Sequence, residues 1–204
     1  MEVLKNDGHR EMRLRKAVFF DRDGVLNQAV VENGRPRPPA DVRDMVITRG
    51  ASGVMFELKE LGFALICVTN QPDVARGTQT LANVKAINDR VKFELALDDL
   101  FVCLHDDADE CSCRKPKPGL ILSAAEKWNI DLPSSWMVGD RAGDVLAGRA
   151  AGCRTIFIDF GYAEAKADPP ADYVCGSLVE AGRIIKKASL THESHQRFKG
   201  EIVR

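Results

Sequence analysis

Ala17-Val18-Phe19-Phe20-Asp21-Arg22-Asp23-Gly24-Val25 is the stretch on which the reading of this chain turns. Four apolar residues in a row predict a short strand covered on both faces, and the Asp-Gly that follows stops it. Residues two apart on extended backbone point the same way, so Asp21 and Asp23 face one pocket. Two carboxylates held side by side repel, which favours a cation between them, and hard oxygen ligands suit Mg²⁺. The plainer alternative is an Asp-Gly turn with solvated charges, and the fragment alone does not choose.

Working outward, strand and helix patterns alternate. Residues 33–41 hold Gly34, Pro36, Pro38 and Pro39 and predict a loop. Residues 50–61 carry Val54, Leu58 and Leu61 at helical spacing, with Gly62 as the stop. Phe63 to Val68 is a continuous apolar run, a second buried strand. Residues 80–97 predict a helix that buries Leu81, Val84, Ile87, Val91 and Leu95. Strands follow at 100–104, 136–138, 154–158 and 172–175, and helices at 118–128, 141–151 and 177–187. The last helix opens with Ser177-x-x-Glu180, a capping-box pattern. The fold class is therefore α/β, three-layered and Rossmann-like, with a mainly parallel sheet. Residues 17–187 form that domain, between a polar lead-in at 1–16 and a flexible tail at 188–204.

In such sheets, ligands bind beyond the C-terminal ends of the strands. There the chain places Asp21 and Asp23, then Thr69-Asn70-Gln71, then Arg114-Lys115-Pro116, then Gly139-Asp140-Arg141-Ala142-Gly143-Asp144. A Thr hydroxyl and backbone N–H groups can hold a phosphate oxygen, and Lys115 or Arg114 can neutralise a phosphoryl group. Asp140 can complete an acidic metal site, and Asp144 can orient a ligand or pair with a lysine. Each fragment alone has an ordinary reading as a turn, a strand terminator, a basic surface or helix-dipole acids; four successive strand ends with this content do not.

The chain has six cysteines, of which Cys103, Cys111 and Cys113 stand close together beside His105. Three thiolates and one imidazole make a closed tetrahedral Zn²⁺ site, structural because no ligand position stays open. Asp106, Asp107, Asp109 and Glu110 lie between them, which makes a buried apolar cluster a poor alternative. Cys67, Cys153 and Cys175 read as small buried hydrophobes. His9, His192 and His195 fall in the polar ends and receive no role.

Hydrophobic residues are 45% and charged residues 29% of 204, which excludes disorder for the bulk of the chain. With 29 basic and 30 acidic residues the net charge is -1, so no basic excess drives nucleic-acid or anionic-membrane binding. No apolar run approaches a membrane span, and the charged start lacks a secretory h-region. The expectation is a soluble cytoplasmic monomer.

The ordered set Asp21-x-Asp23-Gly-Val, Thr69, Lys115 and Gly139-Asp140-x-x-x-Asp144 resembles the four motifs of the haloacid dehalogenase superfamily of aspartate-nucleophile phosphotransferases. The resemblance implies Asp21 as nucleophile and Asp23 as acid and base. It implies Mg²⁺ on Asp21, Asp140 and the Asp23 carbonyl, and Thr69 and Lys115 on the phosphoryl oxygens. Only a helix and a loop fit between Asp21 and Thr69, and one helix and one strand between Thr69 and the cysteine cluster, so no large cap domain is expected. The Cys-x-His…Cys-x-Cys-Arg-Lys-Pro loop, Thr69-Asn70-Gln71 and Ala75-Arg76-Gly77 are similar to the heptose-1,7-bisphosphate 7-phosphatases and, less closely, to histidinol-phosphate phosphatases. This implies a small phosphorylated sugar as substrate, contacted by Asn70, Gln71, Arg114 and Arg141. Three departures fall on the substrate side. Pro72-Asp73 replaces the usual Ser-Gly, residues 28–34 lack the usual His-Gly-Tyr-like contact, and the loop between His105 and Cys111 is short. The competing classes are a nucleic-acid 3′-phosphatase, disfavoured by the charge, and a non-catalytic zinc module, disfavoured by the complete motif set.

Overall fold

The computed structural model describes residues 14–163 and 167–201. The elements run β1 (Ala17–Phe20), β2 (Val30–Glu32), β3 (Arg35–Arg37), α1 (Ala51–Glu60), β4 (Ala64–Asn70), α2 (Leu81–Glu94) and β5 (Asp99–Cys103). There follow α3 (Gly119–Trp128), β6 (Trp136–Gly139), α4 (Ala142–Ala151), β7 (Arg154–Ile158), β8 (Tyr173–Cys175) and α5 (Leu178–Glu201). Six strands form one sheet in the order β5-β4-β1-β6-β7-β8, and every pairing in it is parallel.

The period-two geometry of β1 divides the core between two faces. Val18 and Phe20 join Leu65, Cys67 and Val138 under α1, α2 and α5. Ala17 and Phe19 join Ile66, Val68 and Met137 under α3 and α4. All four β1 residues are fully buried, and truncating either phenylalanine costs about 3–5 kcal/mol. The central position of β1 matters for function. Its end is flanked by β4 on one side and β6 on the other, so the residues beyond all three strands converge.

Between β1 and α1 the chain makes only the β2–β3 hairpin and a 3-10 turn at Val42–Asp44; the described residues there form no cap domain. The hairpin corrects the expected loop. Asn33 and Gly34 both take positive φ, 52° and 75°, the turn that a two-residue hairpin requires, and Val30 pairs with Arg37. The last helix also runs past Lys187 to Glu201, where a frayed tail was expected. The Ser177–Glu180 cap differs in one bond. The Glu180 N–H donates to Ser177 Oγ, but Glu180 accepts from Gly176 rather than from Ser177. Leu81 is 56% exposed rather than part of the buried face of α2. His9 lies outside the described residues, as do the side chains of His192 and His195.

Candidate active site

The ends of β1, β4 and β6 and the entry to α3 meet around a cavity of about 460 Å³. Asp21, Asp23, Asn70, Gln71, Arg114, Lys115, Arg141 and Asp144 all line it. The sequence had placed these residues on four separate strand ends, and the parallel register brings them together.

Lys115 is the centre of the charge arrangement. Its Nζ lies 2.6 Å from Asp21 Oδ1 and 2.5 Å from Asp144 Oδ1, and donates to the Val68 carbonyl at 2.8 Å. Burial opposes the charge on this ammonium, but the Asp144 and Asp21 carboxylates outweigh it and hold its pKa above the ordinary lysine value. Asp21 is raised to about 6, chiefly by burial, with Lys115 pulling the other way and Asp144 and Asp23 adding to the rise. Asp140 is raised well above the usual carboxylate range, again by burial first and then by Asp21 and Asp144.

Asp140 is the residue in electrostatic debt. Both of its carboxylate oxygens are buried with no hydrogen-bond partner, although such atoms are ordinarily paired. Oxygens of Asp21, Asp140 and Asp144 lie within 4.8 Å of one another. A hard divalent cation satisfies this set, because it supplies the positive charge that the two orphaned oxygens lack. Gly24 keeps the space open. It has φ 94°, and a Cβ there would stand 2.0 Å from Asp140 Oδ2.

Asp23 departs from the simple picture of two acids sharing a cation. Its carboxylate does not join the Asp21–Asp140–Asp144 group. Arg22 holds it through Nε at 3.2 Å and Nη2 at 2.8 Å, and Asn27 and Gln71 donate to it at 3.1 Å and 2.7 Å. Its charge is thus neutralised by an arginine one residue away. Gln71 also donates to the buried Thr69 Oγ1 at 2.9 Å. The Asn70 amide bonds the main chain of Lys115, donating to its carbonyl at 2.9 Å and accepting from its N–H at 3.1 Å. Arg141 donates to the Pro36 carbonyl at 2.7 Å, which ties the hairpin to the site.

The four-residue cysteine and histidine group is also assembled. Cys103, His105, Cys111 and Cys113 offer ligand atoms within 4.8 Å of one another. The three Sγ–Sγ separations are 3.2, 3.4 and 3.7 Å, and His105 Nδ1 lies 3.3 and 3.5 Å from two of the sulfurs. A tetrahedral ion with ~2.3 Å metal–sulfur bonds sets sulfurs about 3.8 Å apart, so the thiols need to spread by only a few tenths of an ångström to hold one. Burial works against the Cys111 thiolate, but the Arg114 N–H with Cys113 and Cys103 brings its pKa down to about 7. From this loop Asp107 accepts from Arg114 Nε at 2.7 Å, and the His105 carbonyl faces the same guanidinium.

Sequence reasoning missed Arg22 and Asn27, which bond Asp23, Asn88, which bonds Arg22, and Arg37, which lines the cavity; Asp73, singled out in the sequence as a departure on the substrate side, lines it too. One signal existed for Asn88. It is an amide at a position of α2 where Val84, Ile87 and Val91 define the buried face.

Comparisons with known proteins agree with this geometry. Residues 112–181 match the family model described as HAD-hyrolase-like. The D-glycero-beta-D-manno-heptose-1,7-bisphosphate 7-phosphatase of Escherichia coli K12 is 35% identical over 185 residues, covering 84% of this chain and 94% of the relative. The Helicobacter pylori protein of the same name is 35% identical over 143 residues, 67% of this chain and 79% of its own length. Among solved structures, the D,D-heptose 1.7-bisphosphate phosphatase from B. bronchiseptica, complexed with magnesium and phosphate, superposes with a TM-score of 0.71 at 26% identity. That match covers 85% of this chain and 99% of that one. With its six-stranded parallel sheet and converging acid, lysine and threonine residues, the chain belongs to the haloacid dehalogenase-like hydrolases, in the family of the heptose-bisphosphate 7-phosphatases, and is a metal-dependent phosphatase of phosphate monoesters.

Proposed function

We propose that this enzyme removes the 7-phosphate of D-glycero-D-manno-heptose 1,7-bisphosphate. It acts as a monomer with catalytic Mg²⁺ and structural Zn²⁺. The single observation that carries the chemistry is Lys115 bridging Asp21 and Asp144 beside the unpartnered carboxylate of Asp140. The names of the 35% identical relatives support the substrate.

Asp21 is the nucleophile. An Asp21 oxygen bonds to phosphorus as the ester P–O bond breaks, and Asp23 gives its proton to the departing alkoxide. Water then attacks the phosphorus of the aspartyl phosphate, Asp23 takes its proton, and the Asp21–phosphoryl bond breaks to restore the free carboxylate. Lys115 and the Thr69 hydroxyl stabilise the oxygens of the transferring phosphoryl group. Asp21, Asp140 and the Asp23 carbonyl would hold a Mg²⁺, which would supply positive charge to offset the repulsion of the anionic nucleophile and the anionic phosphate. Arg114 and Arg141 face the cavity and offer guanidinium groups to the rest of the phosphorylated sugar.

The test is phosphate release with Mg²⁺ from both anomers of the heptose bisphosphate and from histidinol phosphate, with Asp21→Asn as the blank. A higher kcat/KM for a heptose bisphosphate is expected, and the preferred anomer then follows. Preference for histidinol phosphate, or no release from either heptose anomer, overturns the substrate.

A further inference from the structure

Arg22 is fully buried although it carries a permanent charge. An arginine is rarely found so deep unless it is paired. Its partners fall into two groups. Nε and Nη2 fork onto both oxygens of the neighbouring Asp23. Nη1 instead donates to Asn88 Oδ1 of α2 at 2.6 Å. Asn88 is 8% exposed and sits in the middle of α2, on the face that otherwise buries Val84, Ile87 and Val91. Asparagine is a poor helix-interior residue, and an apolar side chain there would leave Nη1 buried without its acceptor.

We infer that Asn88 and Arg22 are positioning residues that act through Asp23, fixing the direction of its carboxylate at the cavity wall from helix α2 behind it. The inference rests on the reading of Asp23 as acid and base. Asp23 cannot be aimed by its own backbone alone, because its side chain has rotatable bonds and faces an open cavity. A planar guanidinium bonded to both carboxylate oxygens removes that freedom. The same guanidinium must itself be held, and Asn88 is the acceptor that holds its other end. Asn27 and Gln71 complete the shell at 3.1 Å and 2.7 Å. The cavity wall at Asp23 is therefore anchored to α2, an element that contributes no group to the transferring phosphoryl.

A role in aiming the proton donor differs from a role in packing. The quantity kcat/KM contains only the steps through departure of the alcohol, so hydrolysis of the aspartyl phosphate does not enter it. Help from a general acid matters for a sugar or alkyl alkoxide and hardly matters for a nitrophenolate, which leaves without a proton. Asn88→Ala should therefore lower kcat/KM for an alkyl phosphate about tenfold or more and for 4-nitrophenyl phosphate less than about twofold. Asn88→Asp keeps an acceptor oxygen for Nη1 and should restore the alkyl phosphate value to near that of the unaltered enzyme.

The experiment compares the two substrates on the unaltered enzyme, Asn88→Ala, Asn88→Ser, Asn88→Asp and Asp23→Asn. Asn88→Ser gives a second, smaller change should the alanine variant not fold. Equal losses on both substrates, or no loss on either, would overturn the inference. If Asp23→Asn itself shows no dependence on the leaving group, the reading of Asp23 fails instead, which keeps the two failures apart.

Discussion

The side-chain amide of Asn70 and the backbone of Lys115 exchange two hydrogen bonds, 2.9 Å from Nδ2 to the carbonyl and 3.1 Å from the N–H to Oδ1. They join the end of β4 to the loop that enters α3, and so set where the Lys115 ammonium stands relative to Asp21. The similarity to related phosphatases implied Asn70 as a substrate contact; each half of its amide makes one bond to the Lys115 main chain, and Asn70 also lines the cavity. Asn70→Ala should lower kcat about tenfold to a hundredfold with little change in KM, as expected when a group acting on the transition state is misplaced. A raised KM with unchanged kcat would return Asn70 to the substrate.

Asp144 accepts from Lys115 and, at 3.1 Å, from the Arg141 backbone N–H at the start of α4. It is 2% exposed. Removing one partner of a buried ion pair costs about 3–5 kcal/mol, so Asp144→Asn should move the urea unfolding midpoint sharply downward. A loss below about 1 kcal/mol would show that Asp21 alone satisfies Lys115.

The acid cluster predicts how metal and pH interact. Burial raises Asp21 from 3.8 to about 6 and raises Asp140 in the same direction. Between those values the metal-free fold holds protons that the unfolded chain has released. Its stability from these groups is therefore full at low pH and lost as pH rises through about 6. A divalent cation favours the ionised carboxylates and should reverse the trend. Millimolar Mg²⁺ should raise the melting temperature more at about pH 7.5 than at about pH 5. Equal stabilisation at both pH values would sink this account.

For the cysteine group, Cys111→Ser should lower bound zinc, measured by elemental analysis, and lower the melting temperature. KM for a sugar phosphate should rise more than kcat falls, because the loop holds Arg114 through Asp107 and the His105 carbonyl. Normal zinc content in this variant would remove Cys111 from the ligand set.

The buried strands and their order of polar ends were legible because they depend on local pattern. Phe63 to Val68 reads as a covered strand from composition alone, and Asp21, Thr69, Lys115 and Asp140 follow once strand ends are compared. The partners of those residues were not legible. Gln71 bonds Asp23, and Asn70 bonds Lys115, across long stretches of chain, and nothing local marks an amide as taken. Arg22 was passed over because an arginine between two aspartates reads as surface charge; only the packing of α2 above it makes it buried. In the β2–β3 hairpin, Pro36 and its neighbours masked the Asn33-Gly34 turn. A proline can stand in a two-stranded ribbon, where few ladder bonds need its missing donor.

The hairpin has a consequence beyond the site it borders. Its strands pair only with each other, as a sheet separate from the main one, and Arg141 grips it through the Pro36 carbonyl. Its internal bonds would travel with it if it were replaced. Because Pro36, Arg37 and Pro38 of this hairpin line the cavity, exchanging it should change which substrate is preferred while Asp21, Lys115 and Asp140 keep their places at the end of the sheet. Chimaeras that swap residues 28–38 between relatives offer a direct route to new specificity on an unchanged engine.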